Sequence, residues 1–349
     1  MNQPVDAPVQ AVANAELCKA LEHALSQHFG VVRSIAKLER RPSPYRTSFA
    51  LEELDLLLDD GTRLRLMFKD LGSQGLLAGA REAKPAFLYN PLREIETYRA
   101  ILAPSRLGEA FCYGAVVEPQ IGRYWLFLEK VPGVELYQVG EFATWQQVAR
   151  WLAAMHGRFA EDVEPLTAAA PLLRYDGDFY RLWMRRAQGF LRQGDSLESK
   201  DVRRRFERLA GRYDQVVERL VALPVTFIHG EFYPSNVLIQ NTAAELRVCP
   251  VDWEMAAVGP GLIDLAALTT GRWTEDKRIA LAIAYRAELA PNGGWPPASE
   301  AFLTALDFCH LHLAVQWLGW APDWSPPPEH AYNWLREALR LADKVRLSG

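Results

Sequence analysis

The residues with chemistry in them are concentrated in two short segments, FIHGEFYPSNVLI at 227–239 and CPVDWEMAAVGPGLIDLA at 249–266. In the first, the apolar run Val225–Ile228 delivers His229, Gly230 and Glu231 into a loop, and Asn236 opens a second apolar run, Val237–Ile239. A third apolar-flanked segment ends at Asp252, sixteen residues after Asn236. Neighbouring strand ends thus present a carboxylate, a carboxamide and a second carboxylate. These are hard oxygen donors, the set a magnesium–phosphate site needs, because Mg²⁺ takes one or two carboxylates and leaves its other positions to water and substrate phosphates. Phosphoryl transfer asks the protein mainly for positioning and charge neutralisation, plus one acceptor for the proton of an incoming hydroxyl.

The elements that must hold these loops can be read from periodicity. AELCKALEHALSQHFG places Leu17, Leu21, Ala24 and Leu25 at helical spacing and stops at Gly30, after a loose tail over 1–14. Residues 31–40, 48–58 and 63–71 alternate as strands, with Asp59-Asp60-Gly61 as the turn between the last two. Gly, Ala and Pro make 72–92 read as a loop. Pro91 suits the first turn of a helix running into Ile101 and Leu102, with acidic residues where its dipole favours them. GAVVEPQ and RYWLFLEKV are the next strands. Beyond Val131-Pro132-Gly133 the spacing predicts helices at 144–160, 178–193, 199–222, 274–290, 299–320 and 329–346. The expectation is therefore an α+β chain of two units, a sheet-rich 1–130 and a helical 131–349, with a hinge near 129–134.

Composition sets bounds on function. With 39 basic and 43 acidic residues, a net charge of −4 and a pI near 6.0, the chain has no electrostatic attraction for nucleic acid or an anionic membrane. Four scattered cysteines, Cys18, Cys112, Cys249 and Cys309, form no CxxC and read as reduced thiols. MNQPVDAPVQ carries no Lys, Arg or apolar run, which does not support a signal peptide, and no stretch has ~18 consecutive apolar residues. The expected location is the cytoplasm. Oligomeric state is open.

HGExxxxN followed by DWE and GPGLIDLA resembles the aminoglycoside phosphotransferase and choline-kinase-like family, which shares the protein-kinase-like fold. The resemblance implies a two-lobed enzyme that uses ATP and Mg²⁺ to phosphorylate a small-molecule hydroxyl. By it, Glu231 holds the catalytic-base position, His229 orients the loop, Asn236 and Asp252 hold the metal, and Asp264 is a structural carboxylate bracing the loop from the next helix. Lys69 occupies the place of the lysine on the α- and β-phosphates, with Glu94 favoured over Glu96 as its ion-pair partner. The adenine hinge falls at Phe127–Val131, where backbone groups of Glu129 and Val131 meet the base. In PSPYRTSFA (42–50) no glycine-rich loop is present, and Thr47 and Ser48 are the candidates for covering the phosphates.

One residue departs from the family pattern, which usually has Asp where this chain has Glu231. The carboxylate survives with a similar reference pKa, about 4.3 against 3.9. Its extra methylene moves the oxygens by roughly 1 Å, a displacement that can cost ~100-fold in rate. The pocket is rebuilt around Glu, or the enzyme is slow, or the chain is a nucleotide-binding pseudokinase with a regulatory role. Retention of Lys69, Asn236, Asp252 and Asp264 favours the first.

Other residues have plainer readings. His156 is a packed core histidine. His310 and His312, two apart on a helix, point in different directions and cannot share one ion. Six of eleven tryptophans lie beyond residue 270, and Trp320, Asp323 and Trp324 in WLGWAPDWSPPPEH could line an acceptor pocket. Nine acidic and eight basic residues from 271 onward give no acidic excess for a polycationic aminoglycoside. A neutral sugar, another natural-product hydroxyl or an amino alcohol is equally admissible. Eleven residues between Asp252 and Asp264 are too few for the peptide platform of a protein kinase.

Overall fold

The structure, a computed structural model, describes residues 12–45, 48–161, 163–193, 199–241, 246–271, 273–289, 299–320 and 332–347. It separates into two compact units: the chain up to Gly133 together with Gln240–Val251, and Val134–Ile239 together with the chain from Asp252. The segment 240–251, which the sequence reading assigned to the helical part, belongs with the sheet-rich unit. Its ties there are described below.

In the first unit helix α1 (Asn14–Phe29) precedes strands β1 (Ile35–Pro42), β2 (Ala50–Leu58) and β3 (Arg63–Asp70). Helices α2 (Ala78–Ala83), α3 (Pro91–Glu96) and the short α4 (Ala103–Ser105) lead to β4 (Cys112–Glu118) and β5 (Arg123–Glu129). The strands form one antiparallel sheet in the order β1-β2-β3-β5-β4. Strand alternation splits it into two faces. Leu66 and Phe68 of β3 join Leu54, Leu56, Leu58, Trp125 and Phe127 in a core closed by Leu17, Leu21 and Leu25 of α1. Burying each of those leucines contributes about 1.5–3 kcal/mol. Lys69, one residue on from Phe68, therefore takes the opposite face, with Leu51 and Leu126 as its strand neighbours.

Asn90 caps α3 by accepting the Leu92 N–H at 3.0 Å, with Pro91 in the first turn. Beyond Glu96 the helix widens into a π-helical turn, Thr97–Leu102. The stretch 72–92 is not all loop: it holds α2 and a 3₁₀ turn, Ala86–Leu88. α2 buries no residue, so its sequence shows no apolar stripe by which to find it.

The second unit adds β6 (Val134–Glu135), α5 (Phe142–Phe159), α6 (Val163–Ala169), β7 (Leu173–Arg174), α7 (Gly177–Gln193), α8 (Lys200–Gly211) and α9 (Tyr213–Val221). β8 (Val225–Ile228) and β9 (Val237–Asn241) follow, then β10 (Leu246–Pro250) of the first unit. β11 (Ala257–Pro260), α10 (Leu262–Leu268), α11 (Glu275–Leu289), α12 (Ser299–Leu318) and α13 (Trp334–Lys344) complete the chain. The expected single helix over 199–222 is two. It breaks at Arg212 (φ −111°, ψ 3°), whose guanidinium donates to the Leu347 carbonyl at 3.1 Å.

α12 packs against α7, α9, α10 and α13. By length and composition Glu300–Leu318 passes for a membrane span, with a mean hydropathy of 1.2, and half of that window is buried inside the fold. His310 and His312 on this helix find separate partners, the Thr269 hydroxyl and the Tyr213 hydroxyl, both at 2.9 Å.

Candidate active site

β8 and β11 run antiparallel, pairing Ile228 with Ala257, so the loop after β8 starts beside the turn that precedes β11. Gly230 sits there with φ +83°, and a Cβ on it would lie 2.4 Å from the Met255 carbonyl oxygen. No other residue fits that corner without moving backbone. Asp264, fully buried in α10, grips the same corner: its Oδ2 accepts the His229 N–H at 2.7 Å and its Oδ1 the Gly230 N–H at 2.9 Å. His156 from α5 lies with Nε2 3.2 Å from the same Oδ2, and its Nδ1 is 2.7 Å from the Tyr285 hydroxyl. A buried carboxylate costs several kcal/mol to desolvate, and charge-assisted bonds of this kind are what offset it. His156 is thus more than core packing. Helical spacing gave no signal for it, because its partners lie 108 and 129 residues away.

The loop then turns Glu231 and Asn236 into register. Glu231 donates its N–H to His229 Nδ1 at 3.3 Å, and its carbonyl accepts from Tyr233 N–H at 2.7 Å and from Asn236 Nδ2 at 3.0 Å. With its amide nitrogen committed inward, Asn236 is left with Oδ1 to offer, the atom a hard cation takes. Asp252 adopts the left-handed conformation (φ 66°, ψ 61°), which costs a non-glycine residue of order 1–3 kcal/mol. Trp253, next to it, packs its ring 4.4 Å from that of His229 and stacks on Phe227 at 5.3 Å. These contacts bring the segment carrying Asp252 against the loop carrying Glu231 and Asn236.

In the sheet-rich unit Lys69 Nζ lies 2.6 Å from Glu94 Oε2, with the two side chains 10 % and 2 % exposed. The Phe49 ring lies beneath the same ammonium, 5.7 Å away. Glu96 instead reaches Arg99, at 3.4 Å. Ser48 accepts the Leu77 N–H on its carbonyl at 3.1 Å, and Thr47 lies outside the described residues.

At the end of β5, Glu129 donates its N–H to the Phe111 carbonyl at 2.7 Å, and the Val131 carbonyl accepts the Gly133 N–H at 2.9 Å. Arg247 of β10 forks onto the Glu129 carboxylate at 2.7 and 2.8 Å and also bonds the Gly108 and Glu109 carbonyls. Burial disfavours the Glu129 anion, but the Arg247 fork and the Phe111 N–H outweigh it and hold the carboxyl below its usual range. Nothing in the sequence marked Arg247, which looks like any polar residue of a short strand.

Glu231 also lines a pocket in the helical unit, together with Tyr233, Gln316, Trp317 and Trp320. Trp317 donates its indole N–H to the Tyr233 hydroxyl at 2.8 Å. Trp320 stacks on Trp183 at 5.7 Å with 6° between planes, and Arg186 bonds the Gly319 and Trp320 carbonyls at 2.7 and 2.8 Å. Asp323 and Trp324 lie outside the described residues. Trp317 could have been found from sequence, since it stands three before Trp320 on one helix end. Gln316 could not.

Residues 93–301, more than half of the chain, match the family model described as the phosphotransferase enzyme family. The chain belongs to this family. It is an enzyme, a small-molecule phosphotransferase, and its fold is protein-kinase-like, with an antiparallel-sheet unit and a helical one.

Among solved structures this phosphotransferase is similar to a microcompartment-associated aminopropanol kinase, at 14% identity and TM-score 0.56 over 88% of this chain and 90% of that one. It is also similar to wild-type aminoglycoside 2'-phosphotransferase-IIIa in complex with GDP, at 14% identity and TM-score 0.53 over 94% and 98%. A third is a Plasmodium vivax ethanolamine kinase, at 11% identity and TM-score 0.53 over 88% and 82%. At such identities the likeness concerns the fold. No curated protein matches the chain. Among the described residues of this phosphotransferase, no three His, Cys, Asp or Glu side chains cluster to hold a metal. The oxygen donors there are instead the Asn236 amide and the Asp252 carboxylate, of the kind taken by a cation that fills its remaining positions from phosphate and water.

Proposed function

We propose that this phosphotransferase moves the γ-phosphate of ATP to a hydroxyl of a small molecule, in the cytoplasm. One observation carries the reading: Glu231, whose loop is fixed by Asp264, lines a pocket walled by Tyr233, Trp317 and Trp320. A carboxylate at the edge of an aromatic pocket is what a small hydroxyl compound needs in order to be held and deprotonated.

In this reading Glu231 takes the proton of the attacking hydroxyl, and His229 keeps the loop in place through the Glu231 N–H. Asn236 Oδ1 and the Asp252 carboxylate would hold Mg²⁺, which when bound neutralises charge on the phosphates. Lys69, aimed by Glu94, contacts the α- and β-phosphates, and Thr47 and Ser48 cover them. Backbone groups of Glu129 and Val131 meet the adenine edge. The region up to about residue 130 handles nucleotide and the region beyond it handles acceptor, with Trp320, Asp323 and Trp324 on the acceptor side.

The deciding experiment is Glu231→Gln, assayed for acceptor-dependent ADP release and for Mg·ATP affinity. Turnover is expected to vanish with nucleotide affinity nearly unchanged. Unchanged turnover would remove Glu231 as the base, and activity that rises greatly in Glu231→Asp would mark the native site as impaired.

A further inference from the structure

Behind the loop that carries Glu231, three buried side chains stand in a line. The Tyr285 hydroxyl of α11 lies 2.7 Å from His156 Nδ1, and His156 Nε2 lies 3.2 Å from Asp264 Oδ2. Asp264 in turn holds the His229 and Gly230 amides. All three are between 0 and 3 % exposed, so bulk water does not compete for these bonds. His156 is tied through its backbone as well, its carbonyl accepting the Thr226 hydroxyl at 2.7 Å.

The partners decide where the imidazole carries its proton. Asp264 accepts N–H bonds on both oxygens, as an ionised carboxylate does, so the proton between it and His156 belongs to Nε2. On the other side, the Tyr285 hydroxyl has a proton to place, and among the described residues His156 Nδ1 is its only hydrogen-bond partner. An O–H buried without an acceptor is costly, so Tyr285 donates and Nδ1 is bare. Burial pushes the Tyr285 pKa well up, which keeps that O–H protonated.

Gly261 is an independent sign that the fold makes room for this bond. Its backbone is right-handed helical (φ −57°, ψ −24°), a conformation open to any residue. A Cβ there would nonetheless lie 2.6 Å from His156 Nδ1 and 2.8 Å from the Tyr285 hydroxyl oxygen. What a side chain at 261 would displace is the contact between those two atoms.

We propose that Tyr285 is a positioning residue for phosphoryl transfer. It fixes His156 as the neutral Nε2–H form, which aims the Asp264 carboxylate at the His229 and Gly230 amides and so sets where Glu231 stands. The effect on turnover rests on Glu231 as the base, as read above; the proton assignment does not.

The test begins with the full chain labelled with ¹⁵N in its histidine rings, the His156 signals being identified by their loss in His156→Gln. The native ring is expected to show one proton, on Nε2. A proton on Nδ1, alone or beside one on Nε2, would overturn the assignment. Tyr285→Phe removes a single oxygen and should quicken hydrogen exchange at the Gly230 amide about tenfold. Kinetics follow as ADP release from Mg·ATP, with water, D-ribose, ethanolamine and kanamycin as acceptors. In the same variant kcat should fall about tenfold while KM for Mg·ATP stays within twofold. His156→Gln can still present an N–H to Asp264 and has no tautomer to choose, so adding Tyr285→Phe to it should cost less than about twofold more. Gly261→Ala keeps all three hydrogen-bonding groups and should reproduce the loss seen in Tyr285→Phe; it carries the comparison if the phenylalanine variant does not fold. Unchanged Gly230 exchange, unchanged kcat, or a full additive loss in the double variant would each overturn the role of Tyr285. Failure of the Glu231 reading looks different: no acceptor yields ADP, while the ring protons and the Gly230 exchange still decide whether Tyr285 holds the brace.

Discussion

Replacing Asp264 by Asn tests whether the carboxylate holds the loop or merely fills space. Both of its oxygens are engaged, Oδ2 by His229 N–H and His156, Oδ1 by Gly230 N–H. An amide can satisfy one oxygen's partners and must set an NH₂ against the other's. The least costly placement faces Nδ2 to Gly230, leaving one buried N–H unsatisfied at ~1–3 kcal/mol. The surviving bonds also lose their charge assistance, on the order of 1 kcal/mol more. The total is about 3 kcal/mol, which for a unit of this size lowers Tm by roughly 6–12 °C. Displacing Gly230 by even ~1 Å carries Glu231 with it and should cost ~100-fold or more in kcat. Calorimetry gives the first number and a coupled ADP-release assay the second. A Tm within 2 °C of the native value together with kcat within threefold would refute the bracing role of Asp264.

Gly230→Ala should fail in the same two assays, because the added Cβ meets the Met255 carbonyl at 2.4 Å and φ is +83°; a loss above ~1 kcal/mol by urea titration is expected. Glu94→Gln leaves Lys69 buried without its counter-charge and should raise KM for ATP at least tenfold, with stability falling by roughly 3 kcal/mol; an unchanged KM would detach the pair from nucleotide binding. His312 is buried, its Nδ1 bonded to the Tyr213 hydroxyl, and burial pushes its pKa down to about 3. The unfolded chain, with an ordinary histidine near 6.5, then binds more protons between those values. Stability should therefore fall as pH drops from about 6.5 toward 3, by up to ~1.4 kcal/mol per unit, and a flatter profile in His312→Gln checks this. Burial raises the thiols of Cys112 to about 11 and Cys249 to about 12, so both should resist Ellman's reagent at pH 8 and react once the chain is unfolded.

Much of the site could be read from the chain because its signals are local. His229, Gly230, Glu231 and Asn236 fall within eight residues, and Asp264 answers them after three short strands, β9, β10 and β11. Strand alternation was enough to separate Lys69 from Phe68, and Pro91 was enough to start the helix that carries Glu94. The unread parts all depend on distance along the chain. His156 meets Asp264 across 108 residues, Arg247 meets Glu129 across 118, and Trp317 meets Tyr233 across 84. No window of periodicity spans such separations. α2 escaped for another reason, since it buries nothing and so imposes no pattern. The break at Arg212 escaped because the apolar stripes of α8 and α9 continue almost in phase through it.

The return of Gln240–Val251 to the sheet-rich unit has a consequence for biosynthesis. A ribosome that has just added Gly133 has synthesised every strand of the large sheet but not Arg247, which forks onto the end of β5. Completion of that unit must wait for more than a hundred further residues, on the order of ten seconds of translation. An expressed fragment ending at Gly133 would lack the tie altogether, and the native boundary for a separately folding piece cannot be set by cutting the chain once.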